Sequence, residues 1–147
     1  MYLFCGSCAF IRCEDTAVVK EEGTRVKQAL LIEDHALFRE GLALLLEWRT
    51  GLESVEAGSL AEGHRVLSDP RGTADVAIIN LNLPDGDGSE LIEQLRKTQP
   101  GVPVLALTAG RSLAQQARAL EAGAEEVLAK ATPVEQIIDA VERIQRS

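Results

Sequence analysis

Four consecutive apolar residues, Val76-Ala77-Ile78-Ile79, run unbroken into Asn80 and then into Leu81-Asn82-Leu83-Pro84-Asp85-Gly86-Asp87-Gly88. A strand that is apolar on both sides must be covered on both sides, which is the condition of a parallel sheet held between layers of helix. Pro84 and the two Asp-Gly pairs then stop it abruptly. In open α/β sheets, ligands and reacting groups collect beyond the carboxyl ends of the strands, so Asn80 stands where chemistry is expected.

The rest of the chain alternates that pattern with helical periodicity. Ala29-Leu30-Leu31-Ile32 reads as a first buried strand closed by Glu33-Asp34, followed by a helix over about 35–48 with Phe38, Leu42, Leu45 and Leu46 on one face. Residues 54–57 read as a short strand, and Ser59 with Glu62 three residues on forms a capping box for a helix to about Ser68. A helix over about 89–98 carries Leu91, Ile92 and Leu95, and residues 102–107 form a fourth strand ending at Thr108-Ala109-Gly110. Ser112 caps a helix through Leu113, Ala117 and Leu120 that Gly123 terminates. Val127-Leu128-Ala129 is a fifth strand ending at Lys130. A last helix over about 133–146 sets Val134, Ile137, Ile138, Val141 and Ile144 on one stripe, with Arg143 and Arg146 near its negative end.

Five βα units predict an α/β fold, a doubly wound five-stranded parallel sheet, most simply of order 2-1-3-4-5, in three αβα layers. In that order the strand ends converge on one edge and bring Glu33, Asp34, Asn80, Thr108 and Lys130 together.

The net charge of −8 argues against a nucleic-acid-binding surface, which needs clustered Lys and Arg. DNA contact, if any, falls to another domain. No apolar run reaches the roughly 20 residues of a transmembrane helix, so a soluble, cytoplasmic protein without membrane contact is expected. The three cysteines, Cys5, Cys8 and Cys13, all precede the first strand. Cys5 and Cys8 have C-x-x-C spacing, but a structural zinc site needs four ligands and no His is near in sequence. Residues 1–25 show no clear periodicity and end in Lys20-Glu21-Glu22-Gly23-Thr24-Arg25. They read as an N-terminal extension outside a domain spanning 26–147. Translation starting at Val26 would account for it, because Lys-Glu-Glu-Gly is encodable by a purine-rich, ribosome-binding-like stretch and GTG is a bacterial start. The chain ends just past the last helix of the pattern, as a stand-alone regulator or a piece of a longer one would.

Leu31-Ile32-Glu33-Asp34-His35, the turn Leu81-Asn82-Leu83-Pro84-Asp85-Gly86, Leu107-Thr108-Ala109 and Ala129-Lys130 resemble the receiver domain of two-component response regulators. The stretch His35 to Leu42 is most similar to the NarL/LuxR-type subfamily. The resemblance covers about 27–147 and implies the CheY-like, flavodoxin-like fold. It also implies that Glu33 and Asp34 hold Mg²⁺ with the backbone carbonyl of Asn82 and the side chain at position 80. Thr108 is then the switch hydroxyl and Lys130 the phosphate-pairing ammonium. The family's phosphoacceptor is an Asp, and here that position is Asn80. Val127, three before Lys130, stands where many receivers carry a switching aromatic.

An aspartyl phosphate forms by attack of an anionic oxygen on phosphorus, and a neutral amide is a poor nucleophile. Asn80 also takes a charge from the metal site, so Mg²⁺ is expected to bind weakly. Three readings of Asn80 stay open: a degenerate receiver, an Asp-to-Asn variant of a working receiver cut from a LuxR-type transcriptional regulator, and phosphorylation at Asp85 or Asp87 instead. The expected role is regulatory, not enzymatic, through contacts with a histidine kinase or another signalling protein. A homodimer through the exposed charges of the last helix is also expected. From another class, a flavodoxin-like nucleotide- or flavin-binding enzyme uses the same sheet. The first strand, however, is followed by Glu-Asp-His and no phosphate-cradling loop.

Overall fold

The computed structural model describes residues 26–146. In chain order the elements are β1 (Gln28–Ile32), α1 (Ala36–Thr50), β2 (Glu53–Ala57), α2 (Leu60–Ser68), β3 (Val76–Asn80), β4 (Asn82–Leu83) and β5 (Gly86–Asp87). They continue with α3 (Ser89–Thr98), β6 (Val104–Thr108), α4 (Leu113–Ala122), β7 (Glu126–Ala129) and α5 (Val134–Arg146). Five strands form one parallel sheet of order β2-β1-β3-β6-β7. This is the expected order, with β6 and β7 as the fourth and fifth strands. The polar turn after Asn80 is more ordered than its sequence suggests, because Asn82–Leu83 and Gly86–Asp87 pair as a small antiparallel ladder.

Every residue of β3 and β6 is buried, as strands covered on both sides require. Alternate residues feed two cores. Ala29, Leu31, Val76, Ile78, Leu105 and Leu107 pack with Leu42 and Leu46 of α1 and with Ile137, Ile138, Val141 and Ile144 of α5. Leu30, Ile32, Ala77, Ile79, Val104 and Ala106 face the other way, onto Leu60 and Leu67 of α2, Leu91, Ile92 and Leu95 of α3 and Ala119 of α4. Each fully buried Ile or Leu contributes about 1.5–3 kcal/mol, so α5, whose apolar stripe is buried along its length, is a principal anchor.

One helix departs from its periodicity, and another carries more apolar residues than its buried face uses. On α4, Leu113, Ala117 and Leu120 face solvent and the small Ala119 is the buried contact. On α1 the expected face of Phe38, Leu42, Leu45 and Leu46 packs on the core, while the additional apolar residues Leu37, Leu44 and Trp48 are outside.

The caps also have particular geometry. Ser59 accepts from the Glu62 N–H, but the Glu62 carboxylate reaches past Ser59 to the Gly58 N–H, one residue earlier than in the standard box. Ser112 accepts from the Gln115 N–H at 3.2 Å. Behind α3, the Arg96 guanidinium donates to the carbonyls of Pro100 at 2.6 Å, Val102 at 2.5 Å and Gly123 at 3.3 Å. It thereby ties the entry of β6 to the end of α4.

Candidate functional site

Two ladder extensions set the edge of the site. The Glu33 N–H continues the β1–β2 ladder to the Ala57 carbonyl at 2.9 Å, and the Lys130 N–H continues β6–β7 to Thr108 at 2.8 Å. Glu33 is thereby carried to 0 % exposure and Lys130 is set beside Thr108. Asn80, last residue of β3, is buried between them.

The Asn80 side chain is fully used. Its Nδ2 donates to Asp34 Oδ1 at 3.0 Å and, at 3.5 Å, to the Asn82 carbonyl, while its Oδ1 accepts the Asn82 N–H at 3.0 Å. The neighbours fix this orientation: turning the amide over would set Oδ1 against a carboxylate and a carbonyl, and Nδ2 against an N–H. Asp34 Oδ1 and the Asn82 carbonyl are the oxygens that the resemblance assigned to a cation. Here the positive end of an amide dipole lies between them.

The charged pair is Lys130 and Glu33. Lys130 Nζ lies 2.6 Å from Glu33 Oε2, which also accepts the His35 N–H at 2.9 Å. Nζ lies 5.1 Å from the centre of the Phe38 ring as well, close enough for a cation–π contribution. Glu33 Oε1 is buried with no hydrogen-bond partner among the described residues. Arg39 grips the Glu33 carbonyl at 2.8 Å and pairs with Glu56, clamping the β1–α1 turn.

On the far side, Thr108 is buried and its hydroxyl donates to Gln115 Oε1 of α4 at 2.9 Å. Asn82 Oδ1 accepts the Ala109 N–H at 2.7 Å and lies 3.4 Å from Thr108 Oγ1. A continuous chain of polar contacts therefore runs from Asp34 through Asn80 and Asn82 to Thr108 and α4. Val127 is partly buried against the α2–α3–α4 side of the core.

The two aspartates of the turn serve the scaffold. Asp85 caps α2 through the N–H groups of Leu60 at 2.8 Å and Ala61 at 3.0 Å, and these bonds hold its carboxyl below the usual carboxylate range. Burial opposes ionisation of Asp87, but the Ser89 N–H and the Arg118 guanidinium outweigh it, and its pKa is also lowered. Gly88 is where the turn passes closest to the site, since a Cβ there would stand 2.2 Å from the Asn80 carbonyl oxygen.

The structure thus brings Glu33, Asp34, Asn80, Asn82, Thr108 and Lys130 together and leaves Val127 in the adjoining core. Sequence reasoning missed Gln115, Phe38 and Gly88. Only Gly88 left a signal, as a glycine directly before a helix. Cys5, Cys8 and Cys13 lie outside the described residues.

A divalent cation fits these residues poorly. Among the described residues no three His, Cys, Asp or Glu side chains cluster to hold a metal. Glu33 is already paired with Lys130, and a cation between Asp34 and the Asn82 carbonyl would have to displace the Asn80 NH₂.

A five-stranded sheet of this order, with an acidic pair, a buried hydroxyl and a lysine around the end of its middle strand, defines a CheY-like signalling module. The chain belongs to the response regulator receiver domain family, whose model matches residues 29–142. It is 30% identical over 130 residues to the methanol utilization control regulatory protein MoxX of Paracoccus denitrificans, covering 87% of this chain and 57% of that protein. Among solved structures it resembles a Burkholderia pseudomallei response regulator with a phosphorylated aspartic acid, calcium ion and citrate. That match has TM-score 0.72 and 30% identity, covering 82% of this chain and 69% of that one. It also resembles a LuxR-family two-component response regulator from Aurantimonas, with TM-score 0.72 and 29% identity, covering 81% and 84% of the two chains. The chain spans little more than half the length of the curated relative. No described helix is long and apolar enough to cross a membrane.

Proposed function

We propose that the chain is a degenerate receiver of two-component signalling, cytoplasmic, in which Asn80 replaces the phosphoacceptor and the output passes through protein contacts. The observation that carries this reading is the Asn80 amide itself. It is neutral, buried and bonded at both ends, and its NH₂ lies where a metal-bound phosphoryl site needs a cation. Glu33 and Asp34 with a paired Lys130 leave too little negative charge to hold Mg²⁺ strongly, so its binding is weak. Asp85 and Asp87 are poor substitute acceptors, because their oxygens cap α2 and pair with Arg118.

The partner is a histidine kinase or another signalling protein. A self-complementary face on α5 also remains, although Arg143 is tied to Glu126 within the chain. Glu135, Asp139 and Arg146 are the charges left facing out.

The test restores the carboxylate. In the Asn80→Asp form with Mg²⁺ and acetyl phosphate, the carboxylate oxygen bonds to phosphorus as the phosphorus–oxygen bond to acetate breaks, and acetate leaves. Intact mass spectrometry is expected to show one hydroxylamine-labile phosphoryl group on that form and none on the parent. Phosphorylation of the parent defeats the reading. No phosphorylation of either means that more of the site than Asn80 has been lost.

A further inference from the structure

The outer face of α1 is apolar and, among the described residues, uncovered. Leu37, Leu44 and Trp48 are 78%, 69% and 80% exposed, and with Gly41 they follow the 4-3-4 spacing of a helix-packing stripe. A Cβ added at Gly41 meets nothing within 4 Å, so the fold does not require glycine there. Glycine in an exposed helix costs stability, and what it supplies is a notch where another chain can approach the helix backbone.

The rim of this stripe is acidic. Glu40 and Glu47 flank it, and Glu53 stands beside them across a shallow groove to β2, with Lys27 and Arg49 as nearby cations and Glu56 already held by Arg39. A second copy laid antiparallel on the stripe would set Glu40 and Glu47 against their own kind. A segment free of acidic groups fits better.

The chain contains such a segment. Residues 1–13, Met-Tyr-Leu-Phe-Cys-Gly-Ser-Cys-Ala-Phe-Ile-Arg-Cys, have no Asp or Glu and carry Arg12. Of the five aromatic residues in the chain, Tyr2, Phe4 and Phe10 lie there and Phe38 and Trp48 lie on α1. The polar residues 14–25 follow, and the chain enters the fold at Lys27, whose carbonyl accepts the Glu53 N–H at 3.1 Å. That entry point is at the Trp48 end of α1. From there the stripe runs about 16 Å to Leu37, and residues 14–25 reach up to about 40 Å when extended.

We propose that residues 1–13 dock on the Leu37–Gly41–Leu44–Trp48 face of α1, with residues 14–25 as the tether.

Trp48 is the sole tryptophan, so its fluorescence reports on this patch alone. The probe is acrylamide quenching of the full chain, of the chain begun at Val26, which retains every element described above, and of full-length Phe4→Ser/Phe10→Ser. Quenching is expected to be several-fold weaker in the full chain than in either variant, with the protection independent of protein concentration. Quenching of the full chain as strong as that of free tryptophanamide overturns the proposal whatever the variants do. Protection that grows with concentration, or that survives removal of residues 1–25, overturns it too and assigns the cover to a second copy.

Discussion

At the carboxyl edge of the sheet, Asp34, Asn80, Asn82, Thr108 and Gln115 bond to one another and Lys130 closes on Glu33. On the outer face of the neighbouring α1, Leu37, Leu44 and Trp48 touch little of the described fold. In the first region most of the polar groups a receiver needs for an incoming ligand have partners within the fold, Glu33 Oε1 excepted. In the second, groups the fold does not need are left outward. The contrast teaches that a receiver frame with an amide at its acceptor position is not left with an empty site. Apart from Glu33 Oε1, its neighbours bond to one another within the fold.

The largest expected effect tests the self-sufficiency of the edge. Lys130→Met leaves the Glu33 carboxylate buried without a counter-charge, which is expected to cost about 3–5 kcal/mol in urea unfolding. Glu33→Gln combined with Lys130→Met should recover much of that loss. If the single change costs under about 1 kcal/mol, the pair is a surface contact and the contrast fails. Next, Thr108→Val removes the hydroxyl that binds Gln115, at a cost of about 1 kcal/mol. It should also speed exchange of the α4 amides near Gln115, and unchanged exchange would show that Thr108 does not hold α4.

On the α1 side the sign reverses. Gly41→Ala fills open space and is expected to stabilise the chain begun at Val26 by about 0.5–1 kcal/mol. The gain should be smaller in the full chain if the notch is in use. The smallest effect concerns Asp85, whose depressed carboxyl pKa comes from the Leu60 and Ala61 N–H groups. A depressed folded value means that the contribution is full above the unfolded Asp pKa of about 3.9 and is lost as pH falls through the folded value. Asp85→Asn should therefore flatten the stability profile below about pH 4 and leave its shape near neutrality unchanged. An identical acid limb in both forms would remove Asp85 from the cap.

The fold was legible where periodicity is unambiguous. The buried run Val76–Ile79 and the single stripe of α5 each allow one placement. On α1 the face of Phe38, Leu42, Leu45 and Leu46 was legible too, and it packs on the core while Leu37, Leu44 and Trp48 stay outside. On α4, Leu113 and Leu120 suggested a face that the sheet does not cover, because Ala119 fits closer against it. The site residues were legible as strand ends. The direction of the Asn80 amide was not, since it depends on the N–H and carbonyl of Asn82 two residues on. Gln115 was invisible for a similar reason, because it reaches Thr108 from a different element.

The Arg96 clasp governs how the molecule comes apart. One side chain holds carbonyls after α3, at the entry of β6 and at the end of α4, so opening any of these segments breaks part of a clasp that the others share. In native-state hydrogen exchange, α3, β6 and α4 should therefore share a single opening free energy, forming one cooperative unit on that side of the sheet. Arg96→Ala would divide that unit, giving α4 an opening of its own below the common value.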